Sequence, residues 1–353
     1  MNITSGKRAP SDEVTVSVVV PVYNGGKRLE YCLQSVHCAE PPPDEIVVVS
    51  DGCADGAWKK AKGFGARVIR REKTGGPAKA RNAGATAAKG DILFFIDADV
   101  IVPTGAVGMV KRYFLQNPLV DALIGSYDDQ PSSKNFLSQY RNLFNHYIHQ
   151  NSKREAATFW GACGAVRSNL FRNLGGFDEN FPFPSIEDIE LGGRMKKAGK
   201  TIRLLKELQV THMKEWRFWP MVKTDIFRRA FPWSRLMLAD NKIGHDLNLK
   251  NSHKISAAIV LVSFFWIGMS LLLPVPMLPF LVALVLLLLL NAGLYRFFWR
   301  SRGFIFMLRS IPLHWLYYGY SGISFLYCWV ESVFLKRVSP SAGKDTCVWH
   351  KKG

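Results

Sequence analysis

No charged side chain occurs between residues 255 and 295, and this run is punctuated by Pro274, Pro276 and Pro279. A water-soluble core has little use for so long an uncharged stretch. Divided at the prolines into 255–273 and 277–295, each half is about 28 Å long as a helix, close to one hydrocarbon thickness. Backbone groups in lipid must bond internally, so a proline cluster between two apolar halves reads as the turn of a helical hairpin at the interface. A third apolar stretch, 311–334, holds Pro312, His314, Gly319 and Gly322, with Glu331 its only charge. Its rings, among them Trp315, Tyr317, Tyr320 and Trp329, suit either a span with interfacial aromatics or a re-entrant, surface-lying pair. Arg296, Arg300, Arg302 and Arg309 put the loop after the second span on the cytosolic side. A third full span would carry Lys336, Arg337, Lys344, Lys351 and Lys352 to the other side, against the same rule.

With 46 Lys+Arg against 28 Asp+Glu, the formal charge of the 353-residue chain is +18, which suits an anionic partner. Residues 214–254 hold nine Lys/Arg and four Asp/Glu, interleaved with Trp216, Trp219, Phe227, Phe231 and Trp233. Indole rings and cations next to an apolar span favour the headgroup layer, so membrane lipids are the expected partner and nucleic acid is not. The six cysteines show no CxxC pair or framework spacing, which predicts free thiols and no zinc site. Residues 1–13 are polar, lack an apolar h-region and are expected to be a flexible terminus. The front half is therefore expected in the cytosol, on a multi-pass inner-membrane protein that ends in a basic tail, 336–353.

Residues 14–213 alternate strand and helix. Strands are predicted at 14–22, 44–50, 66–70 and 91–98, and helices at 27–38, 54–63 and 77–89. This alternation predicts an α/β fold with a mostly parallel sheet covered on both faces. Ligands of such sheets lie at the carboxyl ends of the strands, so Tyr23, Asn24, Asp51, Asp97 and Asp99 should share one crevice. PVYNGG follows the first strand where a dinucleotide fold has GxGxxG, which argues against a glycine-loop phosphate cradle. Asp97 and Asp99, two apart at a strand end, would instead point the same way and bear on one divalent cation.

In chain order, PVYN at Pro21, DGCADG at Asp51, GPAKARNAGA at Gly76 and DAD at Asp97 resemble the nucleotide-binding signature of the family 2 glycosyltransferases. FWGACGAVRS at Phe159, GGFDE at Gly175 and EDIELGGRMKKAG at Glu187 are similar to that family's acceptor-side and catalytic segments. The resemblance implies a GT-A-type nucleotide-sugar-binding domain. Pro21, Tyr23 and Asn24 would line the nucleoside pocket, and Asp51 would accept hydrogen bonds from the base. Lys79 and Arg81 would lie beside the base or diphosphate. Asp97 would hold ribose or metal, Asp99 would bind Mg²⁺ or Mn²⁺ directly, and His212 would add a further metal or phosphate contact. Gly161 and Glu187 would join the substrate site, and Asp188 matches the general base, which deprotonates the acceptor opposite the departing nucleotide. Glu190 stands four residues before Arg194 and reads as a helix ion pair. QxxRW is missing. A single transfer is expected, with Arg229 and Trp233 guiding a lipid acceptor at the bilayer surface.

The implied activity is inverting transfer of one hexosyl or N-acetylhexosaminyl unit from a nucleoside-diphosphate sugar to a lipid-linked acceptor, for a glycolipid or cell-envelope polysaccharide. Two rivals keep the same sequence features. One has polyprenyl phosphate as acceptor, and the other is a non-catalytic module that binds a partner at the membrane.

Overall fold

The structure, a computed structural model, describes residues 13–239 and 251–335. The rest of the expected flexible terminus, part of the basic aromatic segment and the basic tail lie outside the described residues.

Nine strands form one sheet: β1 (Val16–Val22), β2 (Glu45–Asp51), β3 (Arg67–Arg71), β4 (Ile92–Ile96), β5 (Val100–Ile101), β6 (Ala122–Tyr127), β7 (Glu155–Ala156), β8 (Cys163–Arg167) and β9 (Ile202–His212). Their order is β3-β2-β1-β4-β8-β6-β9-β5, with β7 paired to β9. The first four strands in that order are parallel, and β8 enters antiparallel to both β4 and β6. Strand alternation divides the core. Val16, Val18, Val20 and Val22 of β1 face one layer, while Val19 faces the other with Val47, Val49, Leu93 and Phe95.

Helices α1 (Gly26–His37) and α3 (Ala106–Gln116) cover the first layer. Helices α2 (Pro77–Ala87), α5 (Ser168–Asn173) and α6 (Glu187–Lys197) cover the second. In α1 the buried Leu29, Cys32, Leu33 and Val36 recur at one face's spacing, as the sequence pattern requires. The helix expected at 54–63 is a 3-10 helix, Ala57–Phe64, held between Gly56 and Gly65, which are both left-handed. Helix α4 (Phe136–Gln150) is capped by Asn135, whose side chain accepts from the Ser138 N–H at 2.9 Å.

Beyond β9 the chain is helical: α7 (Phe218–Asp225), a π turn (Ile226–Ala230), α8 (Phe231–Ala239), α9 (Asn251–Ser270), α10 (Leu278–Leu290), α11 (Ala292–Arg302) and α12 (Phe304–Leu335). Here the expected spans need correction. The stretch 277–295 is not one straight helix: α10 stops at Leu290 and α11 leaves at 62°. Asn291 stands at the break, donating to Ser256 Oγ at 3.0 Å and accepting from the Tyr318 hydroxyl at 2.8 Å. Its buried polar groups are thereby satisfied where lipid could not satisfy them. Helix α11 then buries Leu294, Tyr295 and Phe298 against Tyr140, Leu143, Phe144 and Ile148 of α4. The stretch 311–334 belongs to the longer α12, with Pro312 inside it. Among the described residues, α9 is long and apolar enough to cross a membrane, and so is the bent α10–α11 pair taken as one unit. Phe265, Leu272 and Leu289 stand 68, 81 and 66% exposed, an outward apolar surface far larger than isolated side chains make.

Candidate active site

Strands β2, β1 and β4 run parallel in a register, Val22 opposite Ser50 and Val19 opposite Phe95, that brings their carboxyl ends to one edge. The chain winds from β1 to β3 on one side and resumes at β4 on the other, so the β1/β4 boundary is the sheet's switch point. Tyr23, Asn24, Asp51 and Asp97 lie there, as the alternation predicted. Pro21 is still within β1, opposite Val49. Tyr23 is 61% exposed at the rim. Asn24 stitches two loops: its Oδ1 accepts from the Ala54 N–H at 2.9 Å, and its own N–H donates to Cys53 Sγ. Asp55 accepts from the Gly26 N–H at 2.8 Å.

Asp51 is not a free acceptor. It is buried, and its Oδ1 takes Arg71 Nε at 2.8 Å while its Oδ2 takes Thr74 Oγ1 and the Gly76 N–H, both at 2.9 Å. A carboxylate with so many donors holds the 71–76 loop in shape. Gly76, at φ 90°, begins α2 there, and a Cβ on it would stand 2.4 Å from the Pro182 carbonyl oxygen. Half-buried Lys79 flanks the same loop, its Cδ lying 2.8 Å from where a Gly75 Cβ would be.

The Arg81 side chain is only 5% exposed, with Nη2 on Asp97 Oδ1 at 2.7 Å and Nη1 on Glu187 Oε1 at 2.9 Å. It is an internal bridge between the end of β4 and the start of α6. Gly161 makes room for it, since a Cβ would sit 2.9 Å from Arg81 Cζ. The Gly161 N–H donates to Asp188 Oδ2 at 3.0 Å, so this glycine positions two site residues by having no side chain.

Asp97 to Asp99 form a turn, closed by the Val100 N–H on the Asp97 carbonyl at 3.1 Å, and not the strand end that alternation assumed. The turn brings the two acids within reach of each other's charge. Burial raises Asp97, opposed by Arg81 and reinforced by Asp99. Burial also pushes Asp99 upward, but His212 and Lys214 outweigh it and hold Asp99 at about 2. The β5–β9 pair sets His212 opposite Val100, and Met213 N–H donates to the Asp99 carbonyl at 2.8 Å. His212 Nε2 lies 3.7 Å from Asp99 Oδ2, too far for a direct hydrogen bond and close enough to share a small divalent cation. No three acidic, histidine or cysteine side chains converge on a ready-made metal site among the described residues. Asp97, turned to Arg81, is the member that stands apart. Tyr127 stacks on His212 at 4.5 Å and meets Trp160 edge-on at 4.7 Å, an aromatic wall that no short motif announced. Lys214 and Arg28, whose charges reach Asp99, were also missed; Lys214 stands two residues after His212.

Asp188 lies in the first turn of α6 with Glu187 and Glu190, where the helix N-terminus favours acids. Burial, then the neighbouring Glu187, raise it to about 6. Glu190 grips Arg194 with both oxygens at 2.7 Å, the ion pair its spacing predicted. Arg229, on the π turn, pairs with Asp225 at 3.0 Å and lies over the Trp216 ring at 5.8 Å. Trp233 packs beside Phe181, Ile186 and Leu236. Both face the helices behind the site. Cys163 is buried and its thiol is pushed up, an inert core position.

A parallel β3-β2-β1-β4 half-sheet extended by mixed strands, with acids in the turn after β4, defines a GT-A-type nucleotide-binding α/β domain. Residues 17–175 match the model of Glycosyl transferase family 2. Glycosyltransferase GlyG of Streptococcus pneumoniae serotype 4 is 33% identical over 117 residues, 32% of this chain and 38% of that protein. Pre-mycofactocin glycosyltransferase of Mycobacterium tuberculosis is 29% identical over 210 residues, 56% of this chain and 42% of that protein. The aligned regions thus span about two fifths of these relatives' length. Mannosyltransferase PcManGT from Pyrobaculum calidifontis, solved with GDP-Man and Mn²⁺, superposes with a TM-score of 0.52 at 18% identity, covering 93% of this chain and 90% of that one. S. aureus TarS 1-349, solved with UDP-GlcNAc, gives 0.51 at 17% identity, covering 90 and 91%. At such identities these two likenesses establish the fold.

Proposed function

We propose that this chain transfers a single sugar, with inversion, from a nucleoside-diphosphate sugar to a lipid-linked acceptor at a membrane face. The observation that carries the reading is the Arg81 bridge. One buried guanidinium ties Asp97, on the donor side, to Glu187, the residue before Asp188, so the two halves of a displacement are held in fixed relation. The Asp188 carboxylate accepts the proton of the acceptor hydroxyl. The acceptor oxygen then bonds the anomeric carbon as the bond to the diphosphate oxygen breaks on the opposite side. A base held at about 6 is unprotonated at neutral pH yet basic enough to take that proton. A carboxylate oxygen and an imidazole suit Mg²⁺ or Mn²⁺, so Asp99 and His212 are the residues to hold such an ion. When bound, it would supply neutralisation of charge on the departing diphosphate. The outward apolar surface of α9 and α10, behind a basic and aromatic segment, supports a multi-pass membrane protein with this site at the cytosolic face.

In a thermal-shift screen of the purified chain against nucleotide sugars with Mn²⁺, one donor should raise Tm, and Asp99→Asn should abolish the Mn²⁺-dependent part of the shift. Asp188→Asn should keep the donor shift and lose about 10²–10⁴-fold in kcat with a hydroxyl acceptor. No shift with any nucleotide sugar would end the proposal. A lipid phosphate as acceptor is the second reading, favoured by the position of Arg229 between the acids and the helices. Such an acceptor is already a nucleophile, and Asp188→Asn would then be tolerated.

A further inference from the structure

Behind the site, α4, the π turn, α8, α9 and α12 enclose a cavity of about 570 Å³, within the size range of small-molecule sites. Its lining is divided by chemistry. Arg141, Asp225, Arg229 and Lys254 contribute to its polar part, and Leu261, Phe325, Leu326, Met237 and Leu238 to its apolar part. We propose that this cavity seats the acceptor lipid, holding the phosphate next to its chain among the arginines and the start of its long hydrocarbon chain between α8, α9 and α12. The inference rests on the lipid-acceptor reading above and gives that acceptor a place and a chemical class, a long-chain alkyl or isoprenoid phosphate.

Three observations support it. The first is charge. Among the described residues Asp225 is the only carboxylate in the lining, and Arg141 takes both its oxygens, at 2.7 and 2.9 Å, while Arg229 shares Oδ1 and the Tyr320 hydroxyl donates to Oδ2 at 2.6 Å. One carboxylate therefore faces two guanidiniums and the exposed Lys254 ammonium, an excess of positive charge that an anion completes. The second is continuity with the donor acids. Arg229 lies over the Trp216 ring, Lys214 lies over the same ring at 4.2 Å, and Met213 before it donates to the Asp99 carbonyl. The third is access. Ala258 and Leu326 line the cavity yet are exposed on α9 and α12, helices that both also carry exposed apolar side chains such as Phe265 and Val330, so a chain can enter sideways from lipid. A sugar or peptide has no use for such an opening.

The test uses the full chain in nanodiscs with a diazirine-bearing long-chain alkyl phosphate. Crosslinks should map to residues 257–261 or 321–326. Ala258→Trp, which fills the cavity from an exposed position, should lower crosslinking at least tenfold and raise the lipid KM by a similar factor with kcat little changed. Lys254→Glu should weaken lipid binding several-fold. In both variants the nucleotide-sugar thermal shift should match that of the unaltered chain, which separates this idea from the donor reading. Crosslinks confined to α10, or an unchanged lipid KM in Ala258→Trp with its donor shift intact, would overturn the cavity assignment. Loss of the donor shift in the unaltered chain would instead overturn the reading beneath it. Equal crosslinking by a neutral alkyl alcohol probe would remove the phosphate from the assignment.

Discussion

A methyl group on Gly161 would stand 2.9 Å from Arg81 Cζ, and Arg81 cannot retreat without releasing Asp97 or Glu187. Gly161→Ala should therefore lower kcat by roughly ten- to a hundred-fold, the size of a small misplacement in a reacting geometry, and also lower the thermal midpoint by loosening a buried ion pair. Steady-state kinetics beside a melting curve separates the two effects. Asp188 gives a pH prediction of definite sign. Burial and Glu187 raise it to about 6, so the basic form is present above that pH and is lost below it. With a hydroxyl acceptor, log kcat should fall with unit slope on the acid side of about pH 6, and a flat profile down to pH 5 would remove Asp188 as the base. Single residues were legible to different degrees. Asp97, Asp99 and Asp188 stand in short motifs and could be found. The partners that decide what each does could not, because Arg81 reaches Glu187 across 106 positions and Asp51 meets Arg71 across 20. Asp51 and Arg81 therefore make ties to distant residues that their short motifs do not announce.

Elements built on periodicity were read well. The valine run of β1 and the spaced apolar face of α1 are local patterns, and they fold as their spacing requires. Failures came where tertiary contacts overrode an apolar run. The stretch 277–295 has no charge to mark its break, yet Asn291 finds Ser256 and Tyr318 as partners, and the following turn docks on α4. Another element-scale tie is Asp225, which joins α4 through Arg141, the π turn through Arg229 and α12 through Tyr320. Asp225→Asn removes a buried charge and leaves Arg141 without its counter-ion, so it should cost about 3–5 kcal/mol. Denaturant unfolding should show that loss. Limited proteolysis should find the α7–α8 region cut faster, and resistance equal to the unaltered chain would deny Asp225 this role.

The described residues form a GT-A-type α/β domain fastened to a helical base with an apolar exterior. If that exterior faces lipid, the full chain should stay with membranes through alkaline carbonate extraction, whereas release of most of the protein would mean surface attachment only. Domain order along the chain was readable from where charge stops and apolar residues begin. The depth of contact between the two halves was not, because α4 and α11 are far apart in sequence and α11 reads as the end of an apolar span followed by a basic loop. Their packing has a mechanical result. If the apolar base lies in lipid, a crevice bolted to it by Phe144, Phe298 and Arg302 cannot bob on a tether, and the reacting atom would work at one set height over the bilayer plane. The fold then acts as a ruler: acceptors whose nucleophile rides too far from the lipid, or too near, should be refused on length alone, before any pocket tests their identity.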